Sequence, residues 1–164
     1  MPNPIVLAAM TLAALAYVAL AMPAAALSCL RPEVAMTFAQ AQEDPRVYVL
    51  ARGRLTPLAG EQPPAAPADP NEGRPYSLRT EFAGVLATRD GFDVDATLPV
   101  RVEVDCAGPW CGGMPEGEAL MFLERRGEAY VLEAGPCPWF AFEADDASVS
   151  QALSCLRGDD CGAG

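Results

Sequence analysis

Apolar and polar positions alternate through the middle of the chain. Ser77 to Thr88 (S-L-R-T-E-F-A-G-V-L-A-T) and Leu98 to Val104 (L-P-V-R-V-E-V) both carry the period-two pattern of a strand with one face buried. Between them Asp90-Gly91 marks a turn. Arg46 to Leu55 (R-V-Y-V-L-A-R-G-R-L) is β-branched and aromatic and predicts another strand, with Gly53 near its end as a candidate bulge. Ala119 to Glu124 and Ala129 to Glu133 flank Arg125-Arg126-Gly127 and read as a hairpin with glycine at the tight turn. A last short strand is expected within Trp139 to Glu143.

Two stretches have a helical period instead. Glu33 to Gln42 (E-V-A-M-T-F-A-Q-A-Q) follows Pro32 and places Val34, Phe38 and Ala41 on one face, until Asp44-Pro45 stops it. Asp145-Asp146 and Ser148 cap a second helix through Leu156, with Val149, Leu153 and Leu156 directed inward and Gly158 at its end. About five strands with a helix before and a helix after predict a mainly β fold, a small closed barrel rather than a sandwich of seven or more strands. Thr56 to Pro75 has no period, and its prolines, alanines and acids predict an exposed, flexible loop.

Residues 1–26 carry no charged side chain, and Ile5 to Met22 is apolar apart from Thr11. Pro23 ends the run, and Ala24-Ala25-Ala26 offers the small residues of a signal-peptide cleavage site. Cleavage there makes Leu27-Ser28-Cys29 the new N-terminus and leaves residues 27–164 as one domain with one core. The n-region lacks Lys and Arg and the run approaches membrane-spanning length, so an uncleaved anchor is the alternative, and the only route to a membrane. Lipidation of Cys29 is disfavoured by the alanine at position 26.

All six cysteines, Cys29, Cys106, Cys111, Cys137, Cys155 and Cys161, follow this leader. An even count in an exported chain reads as a disulfide framework, and hence a periplasmic or secreted protein. The positive charge is all arginine, and there is no histidine, which removes the usual general base, the Ser-His and Cys-His nucleophile pairs and histidine metal ligands. A net charge of −11 argues against a nucleic-acid partner and fits a soluble acidic surface.

The stretch Asp105 to Pro115 (D-C-A-G-P-W-C-G-G-M-P) sets two cysteines beside Trp110. A thioredoxin-type site needs two cysteines separated by two residues at a helix start; here four residues intervene, and Met114 stands where a resolving cysteine would follow Cys111. Structural bridging is the expectation. Acidic groups at Asp90, Asp93 and Asp95, at Asp145-Asp146 and at Asp159-Asp160 read as turn and cap residues, because D-G-F-D-V-D-A-T-L lacks the distal glutamate of a calcium loop. No C-x2-C pair is present for zinc. Trp110, Trp139 and Phe140 are expected to pack in the core or at a barrel end, with an exposed aromatic partner patch as the other reading.

A Cys-x-x-Pro start, a helix, the strand V-Y-V-L-A-R-G-R-L, Cys111-Gly112, the pair E-A-L-M-F-L-E-R-R-G-E-A-Y-V-L-E-A-G-P-C and a final helix together resemble the netrin-like module. That module is the oligonucleotide/oligosaccharide-binding (OB) type barrel of tissue inhibitors of metalloproteinases and their bacterial homologues, and the likeness spans most of residues 28–157. It implies a bridge between Cys29 and Cys137. If that bridge forms, the nearest partners left are Cys106 with Cys111 and Cys155 with Cys161; Cys29-Cys111 with Cys106-Cys137 stays open. The first cysteine of the inhibitors, whose α-amino group and carbonyl chelate the protease zinc, is replaced by Leu27. The resemblance thus implies the fold without that inhibitory chemistry.

Three function classes follow. The first is a non-enzymatic netrin-like binding module without cofactor or metal, a candidate inhibitor of an extracytoplasmic protease, with Leu27, Ser28, Leu30, Trp110 and Trp139 as its partner surface. The second is a structural envelope protein anchored by Ile5 to Met22. The third is a thiol-disulfide oxidoreductase using Cys106 and Cys111.

Overall fold

A computed structural model of the chain describes residues 27–159 and 161–162. The expected leader and its membrane run lie outside the described residues, as does Asp160; among the described residues no helix is long and apolar enough to cross a membrane.

The chain is mainly β. In order it forms α1 (Val34–Glu43), β1 (Tyr48–Pro57), β2 (Tyr76–Ala87), β3 (Phe92–Val104), β4 (Cys106–Ala107), β5 (Trp110–Cys111), β6 (Ala119–Arg126), β7 (Ala129–Ala134), β8 (Ala141–Glu143) and α2 (Asp146–Arg157). Strands run in the order β1-β2-β3-β7-β6, and β6 pairs back onto β1, so five strands close a barrel. Every contact in it is antiparallel except β3 with β7, which is parallel. This is the OB-type order, disulfide-stapled, with one helix before the barrel and one after it. β8 adds a short edge to β6, and β4 with β5 makes a separate two-stranded ribbon.

Alternation and register divide the apolar residues into two layers. Inside the barrel, Leu55 faces Phe82, Leu78 faces Val102, and Val102 faces Leu132 across neighbouring strands. Thr80 is buried among them and its hydroxyl donates to the Val100 carbonyl at 2.8 Å. On the outer side of β1 and β6, Leu50 faces Phe122, and the Phe122 ring meets Phe38 of α1 and Phe142 of β8 edge-on. The two helices contact each other over this outer layer.

Several expectations are corrected. Gly53 makes no bulge: register is continuous through it on both sides, and the irregularity lies at Leu86/Ala87. Its role is a close approach, since Gly53 sits opposite Gly84 and a Cβ on either would run into the Phe82 ring. β3 starts at Phe92, six residues before the expected Leu98, because Phe92–Thr97 pairs with β2 beyond the barrel, where Val94, Asp93 and Asp95 are all exposed and no apolar face marks the strand. The expected Val34, Phe38 and Ala41 face of α1 packs on the core, joined by the buried Ala35 and Thr37. In α2 the buried pair is Ala152 and Cys155; Val149, Leu153 and Leu156 are half-buried, since the helix packs through its small residue and its bridged cysteine.

The caps follow the sequence. Asp145 accepts from the Ser148 amide at 2.7 Å, and Gly158 ends α2 in the left-handed region at φ 80°. Arg157, in the last turn, donates to the carbonyls of Arg89 and Asp90, tying α2 to the β2–β3 turn. That turn is closed by Thr88, whose amide donates to Gly91 O and whose hydroxyl lies 3.0 Å from an Asp93 carboxylate oxygen.

Replacing Gly84 with alanine drives a methyl into the Arg52 carbonyl oxygen of the paired strand and sets it 2.7 Å from the Gly53 Cα and 2.9 Å from the Phe82 ring. Overpacking of this kind costs about 1–3 kcal/mol. Urea unfolding of Gly84→Ala is expected to show that loss, whereas alanine at Gly91, where nothing lies within 4 Å, should leave the midpoint close to wild type.

Candidate partner surface

The three bridges are Cys29–Cys137, Cys106–Cys111 and Cys155–Cys161, and no described cysteine is free. The alternative with Cys29 on Cys111 is not the one formed. Cys137 lies just beyond the end of β7, so the first bridge carries the N-terminal segment to the end of the parallel strand pair, with a Cα–Cα distance of 5.6 Å. Cys29 Sγ lies 3.7 Å from the Pro136 carbonyl oxygen. The residues around it remain in solvent: Ser28 is exposed, Leu27 is 36% exposed and Leu30 71%.

Trp110 and Trp139 are separated by environment. Trp139 is half-buried against the core; its amide donates to Cys137 O at 2.9 Å, and its carbonyl accepts from the buried Thr37 hydroxyl of α1 at 2.7 Å. Phe140 is buried and its ring stacks on Tyr48 at 5.4 Å. Trp110 departs from the expected core or barrel-end packing. It is 41% exposed, because β5 belongs to the ribbon and not to the barrel wall.

Two clefts connect these pieces. One, of about 660 Å³, is bordered by Tyr76, Glu103, Asp105, Glu133, Cys137 and Trp139. A smaller one, of about 220 Å³, joins Cys111 and Gly112 of the ribbon to Gly135, Pro136 and Pro138 around the bridge. Gly112 presses directly on the carbonyls of Ala134 and Gly135, an approach that a side chain would prevent. Cys137 and Trp139 therefore share a cleft, the Leu27–Leu30 segment is bridged to its border, and Trp110 projects from the neighbouring ribbon without lining it.

An ionic network beside the larger cleft escaped the sequence reading. Parallel register sets Glu103 directly against Glu133, a like-charge pair that destabilises a sheet unless it is neutralised. Arg126 supplies both neighbours, contacting Glu103 at 3.0 Å and Glu133 at 3.5 Å, and also holds the buried Glu124 at 2.7 Å. Arg46 completes the set, pairing with Glu133, with Asp44 at 2.6 Å and with Glu124 at 3.5 Å, its guanidinium 5.4 Å from the Tyr48 ring centre. Only the strand order could have revealed it, since the partners come from β3, β6, β7 and the turn before β1.

The titrations follow from these contacts. Hydrogen bonding from Arg46 holds Asp44 down to about 2. Arg126 lowers Glu124 by its side-chain hydrogen bonds, against the opposing effect of burial. Burial pushes the Tyr48 hydroxyl up to about 12. Among the described residues, no group of three or more acidic or cysteine side chains is placed to hold a metal ion. Cys106 and Cys111 face each other across the ribbon, and neither lies at a helix start.

Compared with protein-family models, with curated proteins and with solved structures, the chain matches none.

Asp44 and Glu124 titrate lower in the folded protein than in the unfolded chain, so the stability they contribute is present above their ordinary values and is lost as pH falls through the folded ones. Tyr48 acts in the opposite direction, its contribution fading as pH rises from its ordinary 10.0 to about 12. The urea midpoint is therefore expected to fall between about pH 5 and pH 2. Arg126→Gln leaves Glu124 buried with only the longer Arg46 contact; it should lower stability at pH 7 by about 1–3 kcal/mol and flatten the acid limb. Equal acid limbs in the two proteins would contradict this role for Arg126.

Proposed function

We propose that the protein is an exported, disulfide-stapled netrin-like binding module that docks an extracytoplasmic protease through Leu27, Ser28 and Leu30, flanked by Trp110 on the ribbon and by Trp139 at the cleft. The observation that carries this reading is the Cys29–Cys137 bridge, which fixes one end of an otherwise irregular, exposed segment to the rigid end of the β3–β7 pair. Such tethering reduces the entropy lost when the segment is bound. Leu30 and Trp110, both large, apolar and exposed, supply the anchors expected of a protein contact.

A binding role rather than catalysis is supported by the direction of the resolved titrations. Asp44, Glu61, Glu124 and Asp145 are lowered and Arg46 and Arg126 raised further from neutrality by their hydrogen-bonding partners, while burial raises Tyr48, so each of these groups is held in one charge state. General acid–base catalysis needs a group poised near the working pH. The net charge of −11 favours a protein partner over nucleic acid. With Leu27 in the place of the first cysteine of the inhibitors, blocking a protease would proceed by occluding its cleft and not by chelating zinc through that cysteine.

The test is an inhibition panel. Peptide cleavage by purified extracytoplasmic metallo- and serine proteases is followed with the protein in excess, and at least one enzyme is expected to slow by about tenfold, with Leu30→Asp or Trp110→Ala restoring its rate. Unchanged rates across the panel, with no complex on gel filtration, would contradict the proposal.

A further inference from the structure

The ribbon does more than display Trp110. Between Leu58 and Pro75 the chain forms an exposed strap attached at its two ends. At the near end, the Leu58 amide donates to Arg79 O at 3.0 Å, and the Glu61 carboxylate accepts from the Arg79 backbone and guanidinium. At the far end, Asp69 closes a turn with Asn71 and Glu72, and the Gly73 amide donates to Gly108 O at 2.7 Å. Gln62 to Ala68, which includes Pro63, Pro64 and Pro67, makes no hydrogen bond to the other described residues. A groove of about 350 Å³ separates this part from Pro109 and Cys111.

The far attachment is built on the Cys106–Cys111 bridge itself. A Cβ at Gly73 would lie 2.7 Å from Cys106 Cβ and 2.8 Å from Cys111 Sγ, besides striking the Gly108 carbonyl, so the strap backbone rests directly on the bridge and its turn. Gly108 occupies the left-handed region at φ 60°, in a loop held shut by a bridge of only five residues' separation.

We propose that Cys106–Cys111 is a site of reversible thiol–disulfide exchange with an external dithiol, and that opening it releases the strap from the barrel at Gly73. Access sets this bridge apart from the third and consequence sets it apart from the first. Cys111 is exposed, as is Cys29 of the first bridge, whereas Cys155 of the third bridge is buried. The bridge pins a ribbon outside the barrel sheet, so reduction breaks no pairing among the five barrel strands, whereas the Cys29–Cys137 bridge spans 108 residues and contributes far more to the fold. In the exchange, a thiolate of the external dithiol attacks Cys111 Sγ, and Cys106 leaves as a thiolate and takes up a proton. The second thiol of the donor then displaces Cys111. The donor ends as a disulfide, having passed two electrons and two protons to the cysteine pair. That the release also frees Trp110 for or from a partner rests on the proposed function; the exchange and the release of the strap do not.

The test uses dithiothreitol as the probe and no partner. Wild-type protein is titrated with the reductant, alkylated and peptide-mapped, while amide hydrogen exchange is followed in parallel. Cys106 and Cys111 are expected to label before the other four cysteines, the Gly73 amide to exchange about tenfold faster, and the barrel strands to keep their protection. Gly73→Ala should give the same fast exchange around residues 69–74 with all three bridges intact, a control that holds even if a Cys106→Ala/Cys111→Ala variant does not fold. Reduction of Cys29–Cys137 first, or unchanged protection at Gly73 once Cys106 and Cys111 are alkylated, would overturn the proposal.

Discussion

Parallel pairing of β3 with β7 is the contact on which the rest of the structure depends. The antiparallel neighbours β1, β2 and β3 would by themselves leave an open sheet with two edges; the parallel seam joins that sheet to the β6–β7 hairpin, and β6 then reaches β1. Inside, the seam sets Val100, Val102 and Val104 against Tyr130, Leu132 and Ala134. Outside, it forces Glu103 and Glu133 together and so creates the demand that Arg126 and Arg46 meet. At its end it delivers Cys137 to Cys29.

Closure also explains the two facing glycines. Phe82 fills the barrel interior completely buried, and β1 and β2 pass it at the spacing of paired strands only where Gly53 and Gly84 present no side chain. With the inner space filled by Phe82, Leu78, Val102 and Leu132, the exposed features of the fold lie on the outside of the barrel and at its end. There the helices cover the β1–β6 side, and the clefts, the bridged N-terminal segment and the ribbon lie near the end of the seam.

Much of the frame was legible because its signals are local. Alternation in Ser77–Thr88 and Leu98–Val104, Gly127 between two apolar runs, and Asp145 and Gly158 at the ends of the last helix each depend on a few neighbouring residues. The extension of β3 through Phe92–Thr97 was hidden because exposed backbone pairing needs no apolar face. The strap between Leu58 and Pro75 has the exposed, irregular character its composition predicts, yet its anchorage to Arg79 and Gly108 depends on contacts far along the chain or on a ribbon that no periodicity announces. The ionic network is hidden for the same reason. The cysteines are an intermediate case: their number points to bridges, but the partner of Cys29 followed only from the resemblance, not from spacing.

The Cys29–Cys137 bridge joins these levels, since it is where the exposed segment meets the barrel, and a closure of this length contributes about 4–5 kcal/mol on chain-entropy grounds. Peptide mapping of the non-reduced protein, isolated from its own cells, tests it most directly. One linked pair of peptides containing Cys29 and Cys137 is expected, with Cys106 joined to Cys111. Cys29 linked to Cys111, or free thiols at Cys29 and Cys137, would contradict it.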